Sequence, residues 1–236
     1  MIARLAAAAA LAAVLALAMP AHAQDASGKF GSFELGAGSY RPAIDSDFTA
    51  PGPYQTVFGG GRSAMFRLGF AKSLWSRTGS LELGFRTGFF SKSGHGVFAS
   101  GANQGQKSQD RTSFNIVPTS LTLTYRADFL PERFGIPLAP YGRVALERYN
   151  WWVTKGSGGW SKSGATNGYS ATVGLAFSLN FLDQGMAREL DSDTGINQTY
   201  LFFDVTKSKI DDFGSKKSWN LSDDKVSLAG GLMFVF

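Results

Sequence analysis

The chain has 236 residues, a formal net charge of +5, two histidines and no cysteine. Without cysteine there can be no disulfide, thiolate metal ligand, cysteine nucleophile or lipid-modified cysteine after a leader. A nucleic-acid-binding surface needs clustered cations, whereas here Lys and Arg are interleaved with Asp and Glu along the chain. The length and the dispersed charge predict one domain with no nucleic-acid partner.

The N-terminal residues have the pattern of a secretory leader. Arg4 gives a positive start, residues 5–18 are apolar without interruption, and Ala21-His22-Ala23 forms a small-x-small cleavage site. The apolar run is short for a membrane-spanning helix, which needs about 20 residues. We predict a cleaved signal peptide over residues 1–23 and a mature domain over residues 24–236.

Beyond the leader, the recurring pattern is an alternation of apolar residues with small or polar ones, which is typical of β-strands. Pro118 breaks this alternation in the fourth segment and predicts a bulge or a strand edge there. The pattern predicts strands at about 30–41, 63–74, 80–90, 113–126, 138–152, 168–181, 198–208 and 225–236.

The connecting segments predict an up-and-down topology. Residues 182–191 are predicted to form a helical turn within one periplasmic connection. The other two periplasmic connections are predicted near residues 75–79 and 127–137. Segments rich in Gly, Ser, Asp and Asn follow the odd strands and are predicted as extracellular loops at 42–62, 91–112, 153–167 and 209–224.

The residues opposite the apolar ones indicate which side of the sheet lies inside. Gly84, Gly88, Ser170 and Gly174 are too small for an ordinary solvated surface, but they suit the interior of a narrow barrel. The apolar side then suits lipid, where a closed barrel leaves no backbone group unpaired. We predict an all-β fold, an eight-stranded antiparallel up-and-down transmembrane β-barrel. Aromatic residues near strand ends are predicted to form interfacial girdles: Phe89, Phe90, Tyr149, Trp151 and Trp152.

With the apolar residues facing outward, several charged residues are predicted to face the lumen. Their mixed signs favour a salt-bridged filling with a structural role, because an unpaired buried charge is costly. The alternative is a path for protons or ions. The predicted lumen charge network consists of Glu34, Arg67, Glu82, Arg86, Arg143, Glu147 and Asp204.

The last strand places Leu232, Phe234 and Phe236 on one face and ends at the final aromatic residue. This resembles the C-terminal signal of outer-membrane β-barrels that the barrel-assembly machinery recognises. The whole mature sequence resembles the small outer-membrane, porin-like barrels of Gram-negative bacteria. The resemblance implies a location in the outer membrane and outer-membrane lipids as partners.

A narrower resemblance is to a myxobacterial outer-membrane β-barrel family of unassigned activity, and it implies a fold and a location without a catalytic motif. The residues that carry it are Tyr40-Arg41-Pro42 with Ile44-Asp45, Gly52-Pro53-Tyr54 with Phe58-Gly59, Ala187-Arg188-Glu189-Leu190-Asp191, Gly195-Ile196-Asn197 and Tyr200-Leu201-Phe202-Phe203.

Candidates for chemistry are few. Lipid-modifying barrel enzymes resemble one another in using a His with a Ser, but His95, the only mature histidine, lies in a Ser- and Gly-rich segment with no evident support. Gly59-Gly60-Gly61-Arg62 lacks the Lys-Ser/Thr ending of a phosphate-binding loop. The pairs Asp211-Asp212 and Asp223-Asp224 have lysine neighbours, which favours a solvated loop over a cation site. No catalytic residue, cofactor or metal site is predicted.

The predicted role is therefore structural or in cell-surface interaction, with a filled lumen. Trp160, Trp219 and Phe98 in the loops are candidates for surface contact. Three alternatives stay open at this point: a narrow channel or small-solute carrier, a lipid-modifying enzyme, and a soluble periplasmic barrel with an apolar ligand inside.

Overall fold

The computed structural model describes residues 29–98, 101–156, 160–215 and 218–236, so the predicted signal peptide lies outside the described residues. The strands close into one barrel in which each strand pairs antiparallel with its neighbours in sequence, and the last strand pairs with the first. This confirms the predicted eight-stranded antiparallel barrel. The strands are β1 (Gly31–Tyr40), β2 (Ser63–Trp75), β3 (Ser80–Val97), β4 (Lys107–Arg126), β5 (Leu138–Thr154), β6 (Trp160–Ser178), β7 (Gln198–Lys209) and β8 (Ser227–Val235).

Three short helices lie in the connections: α1 (Pro53–Phe58), α2 (Phe129–Phe134) and α3 (Gln184–Thr194). The helix α3 confirms the helical turn predicted over residues 182–191. Two 3-10 turns, Ile44–Asp47 and Leu179–Phe181, complete the connections. In the part of the chain that the structure describes, no helix is long and apolar enough to cross a membrane.

The two ends of the barrel differ in length and content. The end that holds the start of β1 and the end of β8, here the terminal end, also carries α2 and α3. The opposite end, here the loop end, carries the four connections that follow the odd strands. At the loop end β3 to β6 extend further than β1, β7 and β8, since β4 and β6 have 20 and 19 residues against 10, 12 and 9.

Two predicted loops are shorter than expected. Much of the predicted loop 91–112 belongs to strands, because β3 continues to Val97 and β4 begins at Lys107. Likewise, β6 begins at Trp160, within the predicted loop 153–167. The composition of these segments is Ser- and Gly-rich, but their backbones pair: Ser93 lies opposite Ser113 and Gly94 opposite Thr112. Pairing with a neighbour therefore overrides the local turn composition.

Pro118 causes neither the bulge nor the strand edge that its position predicts. The β3–β4 pairing runs to Thr87–Thr119 and resumes at Phe90–Ile116 in the same register, so β4 continues through the proline. A Cβ on Gly88 would lie 3.2 Å from the Pro118 ring. The glycine therefore gives this ring the space it needs inside the sheet.

The alternation along the strands separates the two faces of the barrel. On the outer face, large apolar side chains are exposed; they include Phe66, Leu68, Leu83, Phe85, Leu121, Val144, Leu146, Val173, Leu175, Phe203 and Leu228. On the inner face, polar side chains are buried; they include Ser32, Glu34, Glu82, Arg86, Thr122, Thr124, Arg126, Arg143, Glu147, Ser170, Thr172, Asp204 and Thr206. This arrangement is the reverse of a soluble barrel and contradicts the alternative of an apolar internal cavity.

The closing seam between β8 and β1 depends on a close backbone approach at Gly231. A Cβ added there would lie 2.1 Å from the carbonyl oxygen of Leu35 and 2.6 Å from the Cα of Gly36. Both of these atoms belong to the backbone of β1, so a side chain at position 231 would force the two strands apart.

We therefore expect Gly231→Ala to destabilise the folded barrel by about 1–3 kcal/mol, the usual cost of overpacking. Gly142→Ala is the matched control, because a Cβ at Gly142 meets nothing within 4 Å. The measurement is the urea midpoint of each variant, refolded in detergent micelles and followed by tryptophan fluorescence. Equal midpoints for the two variants would show that the seam tolerates a side chain.

Candidate functional site

The lumen holds the largest concentration of buried charge in the described residues, and its charges form separate groups. The central group joins four strands around Glu34. One carboxylate oxygen lies 2.6 Å from Arg86 Nε in an ion pair without hydrogen-bond geometry. The other oxygen accepts a 2.6 Å hydrogen bond from Arg143 Nη2. Arg143 Nη1 lies 4.0 Å from Asp204, which accepts a 3.0 Å hydrogen bond from the Tyr141 hydroxyl. Two arginines thus face two carboxylates, and the group is formally neutral.

A second group lies toward the terminal end and is built on Arg126, which is fully buried. Its guanidinium contacts Glu82 at 2.9 Å and Asp128 at 2.5 Å. Asp128 also receives Ser80 and, at 3.0 Å, the ammonium of Lys29 from the segment before β1. Lys29 also pairs with the exposed Glu132, so two cations face three carboxylates here. The Tyr200 ring lies 5.5 Å from the Arg126 guanidinium carbon and covers it.

Arg126 and Asp128 are two lumen charges that the sequence pattern did not predict. Arg126 could have been found from the alternation after Pro118. Polar residues occupy every second position at Ser120, Thr122 and Thr124, and Arg126 is the next position in this series. Asp128 lies just beyond β4, where alternation gives no information.

The remaining two predicted lumen residues do not join a salt bridge in the described part of the chain. Glu147 accepts hydrogen bonds from Ser120 at 2.5 Å and Ser170 at 2.7 Å. Arg67 donates to the Tyr149 hydroxyl at 3.1 Å. The structure therefore brings the seven predicted charges into one lumen but distributes them over separate groups.

The loop end of the lumen is filled by an apolar cluster, here the loop-end plug. Its stacked pair Trp151 and Trp219 has ring centroids 4.2 Å apart, and the Tyr40 hydroxyl donates to the Leu221 carbonyl at 2.6 Å. Burial raises the pKa of the Tyr54 phenol well above its usual range, so this ring stays neutral. The plug comprises Tyr40, Ile44, Tyr54, Phe58, Met65, Phe90, Phe114, Ile116, Tyr149, Trp151, Val153, Ile210, Trp219 and Leu221.

The predicted aromatic girdle is wrong for three of its residues, which belong to the plug. Phe90, Tyr149 and Trp151 are buried inside the barrel, whereas Phe89 is exposed on the outer face. The physical reason is the strict alternation of each strand, which puts Tyr149 and Trp151 on the same side as Glu147. Trp219, predicted as a surface contact residue, is also part of the plug.

A network of ion pairs joins the segment before β2 to the segment before β8, and both segments contribute residues to the plug. The Arg62 guanidinium contacts Asp223 at 2.6 Å and Asp224 at 2.5 Å, and Arg41 lies 3.3 Å from Asp45. Asp223 and Asp224 therefore neutralise arginine here. Within the described ranges, no group of three His, Asp or Glu side chains is placed to hold a metal ion.

Between the charged groups, the free space inside the barrel is small. One cavity borders Glu34, Arg67 and Arg86, and a second borders Glu34, Glu82 and Arg143. Each accommodates about one water molecule. Glu34 lines both cavities, and Met65 of the plug lines the first one. In this structure the lumen is therefore filled.

The predicted candidates for chemistry lie apart from the lumen. His95 is on the exposed part of β3, where Nδ1 lies 3.1 Å from the Ser108 carbonyl oxygen. Gly59, Gly60 and Gly61 form the connection between α1 and β2, with Arg62 turned toward Asp223 and Asp224. No strand-to-helix phosphate cradle is formed by this segment.

The fold and the lumen define a class: an eight-stranded antiparallel barrel with an apolar outer face, a charged interior and a closed mouth. No family model and no curated protein matches the chain. Among solved structures, Neisserial surface protein A is similar at a TM-score of 0.46 and 13% identity, covering 89% of this chain and 98% of that one.

Two other solved structures are similar over comparable lengths. The outer membrane protein OprG from Pseudomonas aeruginosa matches at a TM-score of 0.46 and 11% identity, covering 90% of this chain and 99% of that one. A major outer membrane protein from Thermus thermophilus matches at a TM-score of 0.41 and 14% identity, covering 87% of this chain and 99% of that one. Identities this low say nothing about what the chain binds.

The terminal-end group gives a stability prediction. Arg126→Met leaves Glu82 and Asp128 buried without their main partner, and the loss of one member of a buried ion pair costs about 3–5 kcal/mol. Arg67→Met is the matched control, because it removes the same side chain from a position whose described partners are Tyr149 and Met65. We expect Arg126→Met to lower the urea midpoint in detergent far more than Arg67→Met. A larger loss from Arg67→Met would mean that Arg67 has the greater stabilising role.

Proposed function

We propose that the chain is an outer-membrane β-barrel with a permanently filled lumen, whose role is structural or in contacts at the cell surface. The outer face supports the membrane location. Phe66, Val173 and Phe203 are each exposed by 60% or more, on three different strands, and such a surface is favourable in hydrocarbon. Closure of the sheet satisfies the backbone groups that lipid cannot solvate.

The single observation that supports a non-transporting role is the double obstruction of the lumen. An ion entering from the loop end would meet the plug first and then the Glu34 salt bridges with Arg86 and Arg143. Opening this path would require both an apolar cluster and a neutral charge group to separate. Breaking the charge group alone is costly, because it leaves charges buried without partners.

The first test concerns the membrane location. After expression of the full chain in a Gram-negative host, we expect recovery in the outer-membrane fraction only with detergent. We also expect faster gel migration before boiling than after it, because a closed barrel stays compact in detergent until heated. Recovery in the soluble fraction, with a single migration position, would contradict the membrane proposal.

The second test separates a filled barrel from a narrow channel. We expect the purified barrel in a planar lipid bilayer to give no discrete conductance steps, because the salt bridges and the plug leave no continuous water path. Arg86→Ala is the informative variant, since Arg86 pairs with Glu34 in the centre of the lumen. Discrete steps in the native protein that change in Arg86→Ala would support a channel or small-solute carrier instead.

The third test addresses the enzymatic alternative. Incubation of the folded barrel with a bacterial lipid extract should leave acyl chains unchanged when followed by mass spectrometry. The exposed ring of His95 has a backbone carbonyl as its described partner, which gives no oriented acid–base pair. Acyl hydrolysis or transfer that disappears in His95→Ala would overturn the non-enzymatic assignment.

A further inference from the structure

The outer face of β5, β6 and β7 changes from apolar to basic as it approaches the loop end. On β5 the exposed series Val144 and Leu146 continues to Arg148. On β7 the outward series Leu201, Phe203 and Val205 continues to Lys207 and Lys209.

Three exposed cations lie at this level and are called the basic patch: Arg148, Lys207 and Lys209. In contrast, Glu147 on β5 and Asp204 on β7, the acidic residues of these strands, face the lumen and are buried. The acidic side chains of β5 and β7 therefore lie on the inner face, together with Arg143 of β5, and the three cations of the patch lie on the outer face.

The register brings the basic patch together. Lys209 lies opposite Tyr169 of β6, and Arg148 lies opposite Asn167, two residues earlier on the same strand and nearer the loop end. Arg148 donates to the Asn167 side chain at 3.1 Å. Adjacent strands are about 4.8 Å apart and a strand rises about 3.3 Å per residue, so the backbones of Arg148 and Lys209 lie roughly 12 Å apart across β6. Their long side chains can bring the two charged ends to one headgroup.

The acidic neighbours of the patch leave its charge incompletely neutralised. Lys209 Nζ is 3.7 Å from Asp211, and because the lysine side chain is exposed, water screens much of this attraction. Asp212 receives hydrogen bonds from Asn167 and Ser218, which lower its pKa and keep it ionised. Lys207 donates to the backbone carbonyl of Lys225, a further exposed lysine. The cations thus outnumber the acidic neighbours around this part of the wall.

We propose that the basic patch binds the phosphate headgroup of an anionic lipid in the membrane leaflet at the loop end. The proposal rests on the membrane location given above. The apolar series directly below the patch would contact the acyl chains of the same lipid, while the ammonium groups of Lys207 and Lys209 lie at the level where its phosphate begins. Tyr169, which is about half exposed between the cations, suits such a boundary. The surface potential of an anionic leaflet attracts cations at this depth.

The experiment uses the full-length folded barrel in mixed micelles that contain equal amounts of phosphatidylglycerol and phosphatidylcholine. Native mass spectrometry counts the lipids of each type that stay bound. We expect the native protein to retain phosphatidylglycerol preferentially, and Lys207→Ala/Lys209→Ala to reduce that preference by at least about five-fold, the effect of a single cation at a charged lipid surface.

The matched control is Lys72→Ala/Lys107→Ala, which removes the same charge from exposed positions away from the patch. Lys72 lies toward the terminal end of β2, and Lys107 lies at the tip of β4. The control should keep the lipid preference of the native protein. Equal retention of the two lipids by the native protein, or equal loss in the two double variants, would overturn the proposal.

Gel migration with and without boiling is recorded for the same samples. If all variants show the compact form but no lipid preference, the lipid site fails while the membrane barrel stands. If none shows the compact form, the membrane proposal itself fails.

Discussion

The structure depends on one constraint, the closure of a single antiparallel sheet on itself. Closure pairs β8 with β1 and so leaves no strand edge without a partner. It also divides every strand into an inner and an outer face, because side chains alternate with a period of two. The apolar residues take the outer face, and the inner face is left for the charges and hydroxyl groups. The charged lumen is thus a direct consequence of the outward position of the apolar residues.

A lumen of this kind is stable only if its charges are compensated. Eight strands enclose a space that side chains fill, and bulk water is excluded from most of it. The Glu34 group, with two arginines and Asp204, is formally neutral. In the second group Arg126 and Lys29 pair with Glu82, Asp128 and the exposed Glu132. Glu147 is compensated differently, by two serine hydroxyls. Pairing within these groups offsets part of the desolvation cost of each buried charge.

The fold was largely predictable, because alternation is a local property of the sequence. All eight strands and the antiparallel order follow from it, and so do the positions of Glu34, Glu82 and Arg143 on the inner face. Strand ends were predicted less well, since Ser- and Gly-rich residues such as those at 91–97 become strand only when a partner strand lies beside them. That partner is not visible in a local pattern.

The wrong predictions for lumen residues also came from judging residues without their place in the alternation of the strand. Arg126 was missed because Pro118 made the phase of its strand ambiguous, although the alternation is regular from Ser120 onward. Tyr149 and Trp151 were assigned to the membrane surface by residue type, while their positions in the alternation already put them with Glu147 inside. For a closed barrel, position in the alternation predicts the facing of an aromatic residue better than its chemistry does.

The plug also changes which parts of the loop end are available for contact. The segments before β2 and before β8 place Ile44, Tyr54, Trp219 and Leu221 inside the mouth, so much of their apolar surface is already buried. Beyond the apolar part of the outer face, the paired backbone at the loop end comes from the extended parts of β3 to β6. There β3 pairs with β4 through His95–Arg111 and β5 pairs with β6 through Trp152–Ser163, whereas the β4–β5 pairing ends at Ser113–Thr154. The extended parts are therefore two paired hairpins. Residues that are already paired in strands lose less conformational freedom when a molecule binds them than residues of an irregular loop would.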